Sequence, residues 1–326
     1  MNYGKFVISL DFELFWGVRD SRTISSYGSN IIGVHTVIPR MLDIFGKYNI
    51  KATFSTVGFL FFNSKEELLN GLPSLKPNYI NRDLSPYHGH FEKVGENAEV
   101  DKFHFAPQLI QQIIQHPQHE VGTHTFSHYY CLEEGQNVDE FRADLEAAKH
   151  IAEKFKLQIS SLVFPRNQFN DEYLKVCQEA GILCYRGNEH SWLYTAKSKD
   201  KESLFRRACR LVDAYVNISG HNCYSDEYLK SKMPIDIPAS RFLRPYSKKL
   251  SILDGLRLNR IKSGMTHAAK NNLTYHLWWH PHNFGANHDE NFAFLKNILK
   301  HFQFLQKTYN FQSQTMTELA KNIINL

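Results

Sequence analysis

Apolar and polar positions along this chain of 326 residues follow two alternating rhythms. Phe6-Val7-Ile8-Ser9-Leu10 is a short apolar run that predicts a strand, whereas Val34, Ile38, Leu42 and Phe45 recur at three- and four-residue spacing and predict a helix over 31–48. A second strand follows at 51–57. Residues 63–105 are polar and contain Pro73, Pro77 and Pro86, so they read as a long connection. The rhythm resumes with a helix over 107–115, a strand over 119–123, a helix over 137–155 with Phe141, Leu145, Ala148 and Ala152 on one face, a strand over 159–164, a helix over 171–180 and a strand over 182–185. Strands that alternate with helices imply a parallel sheet, open or closed into a barrel.

Residues 186–271 break the pattern. They hold a charge cluster at 197–202, a predicted helix at 204–215, a proline-bearing stretch at 234–245 and a helix at 252–268, and read as a cap-like insertion plus one barrel helix. A strand at 273–279, a helix at 291–304, a short strand near Phe311 and a helix at 316–324 complete seven candidate strands. The expectation is one elaborated α/β barrel domain over 1–326.

Composition narrows the class. With 42% hydrophobic and 22% charged residues the chain reads as globular, which removes disordered and collagen-like readings. Lys and Arg total 38 against 33 Asp and Glu, and this excess of +5 gives little support to nucleic-acid binding. Five cysteines without a C-x-x-C pair indicate neither a disulfide framework nor a thiolate zinc site. The longest apolar run, 57–62, is too short to span a bilayer, and the first residues do not resemble an export signal. A cytoplasmic location is therefore expected, with a peripheral place at the inner membrane left open.

Reactive side chains stand directly after predicted strands: Asp11 and Glu13 after the first, His124 and His128 after the third, Arg166 and Asn167 after the fourth, His280 and His282 after the sixth. In parallel α/β folds the C-terminal ends of the strands share one rim, so these groups are expected to converge. In extended chain, His124 and His128 would stand about 13 Å apart, too far to share an ion. A turn brings such a pair to about 6 Å. Two imidazoles and a carboxylate are a ligand set for zinc or a similar divalent ion. Asp11 and Glu13, two apart on a strand, can divide the roles of base and ligand.

These residues resemble the polysaccharide deacetylase family, the NodB-homology carbohydrate esterases. Ser9-Leu10-Asp11-Phe12-Glu13 matches its acidic motif, His124 to His128 its H-[ST]-x-x-H motif, Pro165-Arg166 its Arg/Pro motif and Leu277 to His280 its late strand ending in His; Ala52-Thr53-Phe54 is similar to its second strand. The forms F-P-R-N-Q and W-W-H-P-H-N-F resemble a branch associated with bacterial surface-polysaccharide biosynthesis. The resemblance implies a distorted (β/α)7 TIM-like barrel with a long insertion. It also implies a divalent metal, zinc first, on Glu13, His124 and His128. Asp11 is the implied base, His280 the acid that protonates the leaving amine, and Arg166 the partner that keeps Asp11 ionised. Phe12 separates the two acids where most members have adjacent aspartates, so the exchange of roles between Asp11 and Glu13 stays open.

The implied activity is hydrolysis of a carbon–nitrogen bond outside peptides, removing an N-acyl group, N-acetyl first, from a sugar during assembly of lipopolysaccharide, O-antigen or capsule. The expected partner is an N-acylated nucleotide- or lipid-linked sugar or oligosaccharide, with no nucleic acid. A cyclic-ureide type of amidohydrolase on the same barrel and a catalytically silent glycan-binding protein are the alternatives. His282 has no single assignment, either behind the metal or in the substrate pocket. Trp16, Trp192, Tyr129 and Phe284 lie near the motifs and can stack on a sugar face.

Overall fold

Residues Lys5–Phe12 form β1, buried along its whole length as a strand covered on both faces must be. The computed structural model describes residues 3–194, 203–230 and 232–325, and the charge cluster at 197–202 lies outside the described residues. After β1 come α1 (Ile24–Lys47), β2 (Thr53–Thr56), α2 (Lys65–Asn70), α3 (Pro107–Ile114), β3 (Glu120–Thr123), α4 (Val138–Lys154), β4 (Ser161–Val163), α5 (Asp171–Glu179) and β5 (Cys184–Arg186). The second half contains α6 (Leu204–Asp213), α7 (Asp226–Leu229), β6 (Ile235–Asp236), β7 (Arg241–Phe242), α8 (Asp254–Asn271), β8 (Thr274–Trp279), α9 (His288–Tyr309), β9 (Gln312–Gln314) and α10 (Met316–Ile324).

Every strand pairing is parallel, in the order β6-β5-β4-β3-β2-β1-β8-β7, with β9 against the first residues of β1. The sheet curls into the expected distorted (β/α) barrel, and its two ends belong to one stretch of chain. Ile237 and Ala239 donate to Tyr185 and Gly187 on one side, then Ser240 and Leu243 donate to His276 and Trp278 on the other. This stave lies inside the region that reads as an insertion. Each of its ladders is two residues long and Pro234 and Pro238 remove donors, so no alternating pattern marks it in sequence.

Register places the site. Asp11 pairs with Ser55, Leu10 with Trp279, Thr56 with Thr123 and Val163 with Arg186, so the C-terminal ends of β1, β2, β3, β5 and β8 open at one level. The long connection at 63–105 is fastened beside that rim. Phe15 donates its backbone N–H to Phe103, and the Trp16 indole donates to the His104 carbonyl at 2.8 Å. The Asp101 carboxylate ties the connection to itself through Gly95, Phe103, His104 and the His104 ring.

α1 packs against the turn after β8 by backbone contact. A Cβ on Gly33 would stand 2.1 Å from the Gly285 carbonyl oxygen, and one on Gly285 would stand 1.8 Å from that of Asn30. Neither residue tolerates a methyl group unless the two elements separate. Gly285→Ala is therefore expected to cost about 1–3 kcal/mol by forced overpacking, read as a lower urea midpoint with an unchanged slope.

Candidate active site

β1 carries both acids to the rim, and each acquires a different company. Asp11 is 2% exposed and receives two hydrogen bonds from Arg186, Nη1 to Oδ1 at 2.6 Å and Nη2 to Oδ2 at 2.8 Å. Burial pushes the Asp11 carboxyl up, but the Arg186 guanidinium, with His124 and His280 beside it, holds it below its ordinary range. Arg186 is held in turn: its Nη1 donates to Ser9 Oγ at 3.1 Å, its Nη2 to Asn167 Oδ1 at 3.0 Å, and its plane lies 4.0 Å from the Trp278 ring. Behind Ser9 stands His276, whose Nε2 is 2.8 Å from Ser9 Oγ and whose Nδ1 is 3.1 Å from the Ile237 carbonyl. Burial pushes His276 down to about 3. The neutral ring therefore donates to Ile237 and accepts from Ser9, which leaves the Ser9 oxygen facing the guanidinium.

This corrects the expectation for Arg166. Its guanidinium pairs with Asp20 and with Glu133 at 2.9 Å and stacks 4.0 Å over Tyr130, away from Asp11. Arg166 and Asn167 both have positive φ, 55° and 53°, so the chain turns sharply after β4. Asn167 reaches the site and Arg166 faces the Asp20–Glu133 side. The guanidinium that Asp11 needs comes from the end of the next strand. The sign was present in sequence, since Arg186 directly follows a predicted strand as the other candidates do.

Glu13 is 3% exposed and lies among four imidazoles. Its Oε2 is 3.3 Å from His124 Nε2 and 3.1 Å from His128 Nε2; its Oε1 is 3.0 Å from His282 Nε2 and 3.7 Å from His280 Nε2. Two sets have mutually close ligand atoms, Glu13 with His124 and His128, and Glu13 with His280 and His282. The far sides of the rings are held: His124 Nδ1 meets the Val163 carbonyl at 2.8 Å, His128 Nδ1 the Tyr130 hydroxyl at 3.2 Å, and His282 Nδ1 the Tyr27 hydroxyl at 2.9 Å. Such partners fix ring orientation in metal sites. Because a carbonyl only accepts, His124 must carry its proton on Nδ1, and when neutral it turns an Nε2 lone pair toward Glu13.

Burial opposes ionisation of Glu13, yet His280, His124, His128 and His282 outweigh it and hold the carboxyl well below its usual range. Burial pushes His128 down to about 4 and also lowers His280. Glu13 Oε2 and the Nε2 atoms of His124 and His128 lie close enough together to share one ion, with the Nδ1 atoms of both rings turned away to other partners. A divalent cation satisfies such a set, and the donor chemistry suits zinc-like ions.

The turn that joins His124 to His128 is present, with the two rings 5.0 Å apart between centroids. It requires positive φ at Thr125 (62°) and His128 (61°), and a β-branched residue there carries a strain of about 1–3 kcal/mol. Asp144 on α4 holds the strained turn. Its buried carboxylate accepts from Phe126 N at 2.7 Å, Ser127 N at 3.1 Å and the Ser127 hydroxyl, while Thr125 Oγ1 accepts from Tyr129 N at 2.7 Å. Glu13 has its own constraint, since a Cβ on Gly17 would lie 1.9 Å from the Glu13 carboxyl carbon. Neither Asp144 nor Gly17 is marked in the sequence. Of the four candidate aromatics, Trp16, Tyr129 and Phe284 are core residues, and Trp192 is 59% exposed. Trp192, with Phe169, Asn188 and Glu189, lines a cavity of about 530 Å³.

The polysaccharide deacetylase family model matches residues 27–185. That stretch of the chain is similar to the family and carries three of the sequence motifs, those at 52–54, 124–128 and 165–166. The barrel is similar to the crystal structure of a putative polysaccharide deacetylase from Mycobacterium smegmatis, at 12% identity and TM-score 0.63 over 100% of this chain and 92% of that one. It is also similar to a probable polysaccharide deacetylase from Pseudomonas aeruginosa PAO1, at 10% identity and TM-score 0.53 over 97% of this chain and 89% of that one. At these identities the likeness is one of fold. Among curated proteins no sequence matches.

Three substitutions separate the roles of the arginines and of Asp144. Arg186→Met leaves the Asp11 carboxylate buried and unpaired and is expected to cost about 3–5 kcal/mol, whereas Arg166→Met, at a partly exposed pair, costs far less in the same denaturation series. Asp144→Ala strands two buried N–H groups, costs about 1–3 kcal/mol each and weakens divalent-metal affinity by roughly 10–100-fold, measured by competition with a chromogenic chelator.

Proposed function

We propose that this protein is a metal-dependent sugar N-deacetylase that acts on an N-acetylated, nucleotide- or lipid-linked sugar or oligosaccharide in bacterial surface-polysaccharide assembly. The observation that carries the proposal is the pairing, on one rim, of an arginine-clamped Asp11 with a Glu13–His124–His128 acceptor set 3.1–3.3 Å across. The polysaccharide deacetylase match over 27–185 supports the reaction class. The motif forms at 164–168 and 278–284 support the biosynthetic branch, and a cytoplasmic setting belongs to the same proposal. Among the described residues no helix is long and apolar enough to cross a membrane.

Glu13, His124 and His128 would hold the metal, with zinc the first choice for two imidazoles and a carboxylate. Such an ion, when bound, supplies polarisation of the amide carbonyl and acidification of water. Asp11 accepts the proton that the attacking water loses; with both oxygens on Arg186, it enters the reaction ionised and oriented. His280 is the group for the leaving nitrogen. It is the one imidazole of the four that reaches solvent, 23% exposed by side chain, and its Nε2 lies 3.6 Å from Asp11 Oδ2. A proton can thus reach the amine from the side of the rim open to substrate. Buried His282, clasped by Tyr27 and Glu13, orients Glu13 from its other oxygen.

Metal analysis together with release of acetate from a panel of N-acetyl sugars tests the proposal. The expected result is about one divalent ion per chain, lost with Glu13→Ala, and activity that chelation abolishes and zinc restores. Asp11→Asn should retain the ion while kcat falls by about 10²–10⁴. Undiminished acetate release by Asp11→Asn would refute the assignment of the base. A chain that binds no divalent ion and releases no acetate from any sugar would end the enzyme reading altogether.

A further inference from the structure

The helix α6 sits inside out. Its two buried residues are charged: Arg206 donates to the Leu193 carbonyl at 3.1 Å, and Asp213 is fully buried between Arg241 and Arg260, accepting also from Tyr194, Ser219 and Ile218. Its apolar residues face solvent. Leu204 is 79% exposed, Phe205 69% and Val212 48%, and with Ala208 and Leu211 they fall at i, i+1, i+4, i+7 and i+8, a single stripe of the helix. Val216 and Ile218, just beyond the helix, are also exposed.

The neighbouring turn extends this surface. Arg244 donates to the Arg210 carbonyl of α6 at 3.4 Å, and Arg257 on α8 donates to the carbonyls of Arg244 and Pro245. α6, the segment before α8 and the first turns of α8 thus form one packed unit. Here Ile252 is 91% exposed and Leu256 51%, beside the exposed Lys248 and Lys249, while α6 adds exposed Arg207. Over 203–262 there are twelve Lys and Arg and five Asp and Glu, a net of +7 in a chain whose total is +5. The remainder of the protein is therefore net negative, and the basic excess belongs to this unit.

We infer that α6 with the turn before α8 is a docking surface for an anionic lipid bilayer. An apolar stripe with cations alongside is the chemistry of an interfacial helix, in which the stripe enters the headgroup boundary and the cations meet acidic lipid. A second copy of this chain fits less well, because a two-fold contact would set the same +7 unit against itself. The inference stands on this surface and does not depend on the proposed deacetylase activity.

Sedimentation of the full-length protein with vesicles tests it. Wild type is expected to pellet with phosphatidylcholine vesicles that contain phosphatidylglycerol and to stay in solution with phosphatidylcholine alone, with binding weakened by salt. Phe205→Glu with Val212→Glu should abolish pelleting, and Lys248→Glu with Lys249→Glu should weaken it by about tenfold or more. All four side chains are exposed, so an unchanged melting temperature separates lost binding from lost fold. Equal binding to both vesicle types, no binding to either, or full binding by the Phe205/Val212 variant overturns the inference. So does a concentration-dependent dimer in sedimentation velocity that Phe205→Glu dissolves, which would assign the face to a second copy.

Discussion

Burying two carboxylates at the mouth of a barrel is the constraint on which the site depends. An ionised carboxylate taken from water must find opposite charge and hydrogen bonds or else bind a proton. Asp11 finds both in Arg186, two hydrogen bonds in one plane, and the guanidinium is held in turn by Ser9, Asn167 and the face of Trp278. Glu13 is surrounded instead by four imidazoles, three of which have the outer nitrogen committed elsewhere. That asymmetry divides the labour between two acids two residues apart. One is paired within the protein, and the other stands in a group of residues that could hold a metal ion.

Holding this arrangement requires local conformations that the backbone does not favour. The turn from His124 to His128 passes through positive φ at a threonine, and Asp144 reaches across from α4 to hold its amides. The turn that carries His280 and His282 lies against α1 with no room for a Cβ at Gly33 or Gly285, while Tyr27 and Asn30 of that helix grip His282. Strain and close approach gather on the rim, and the helices around the barrel supply the groups that stabilise them. The long connection at 63–105 does the same for the turn after Glu13, through Phe103 and His104.

Charge is distributed with a comparable division. The rim pairs Asp11 with Arg186 in its interior, whereas α6 buries Arg206 and Asp213 and turns Leu204, Phe205 and Val212 outward. A soluble helix normally does the reverse. Asp213, with Arg241 and Arg260 around it, anchors α6 to the segment that closes the barrel, so the exposed stripe is attached to the same framework that positions Arg186.

Sequence alone determined the α/β alternation, most strands and helices, the likeness to polysaccharide deacetylases, and the gathering of candidate residues at strand ends, because burial periodicity and residues such as Asp11, His124 and His280 are written locally. It also showed that His124 and His128 need a turn, since reach along a chain is a matter of residue count. Tertiary structure decided the rest. Arg166 and Arg186 both follow a strand, and only the direction of the chain after β4, set by two residues at positive φ, shows which guanidinium meets Asp11. The closing stave of β6 and β7 has ladders too short to leave a pattern, and its place is set by hydrogen bonds to β5 and β8. Asp144, Gly17 and His282 act through groups far away in sequence or through space a side chain would fill. An acidic residue on a helix and a glycine in a loop look ordinary until the chain that passes them is in place.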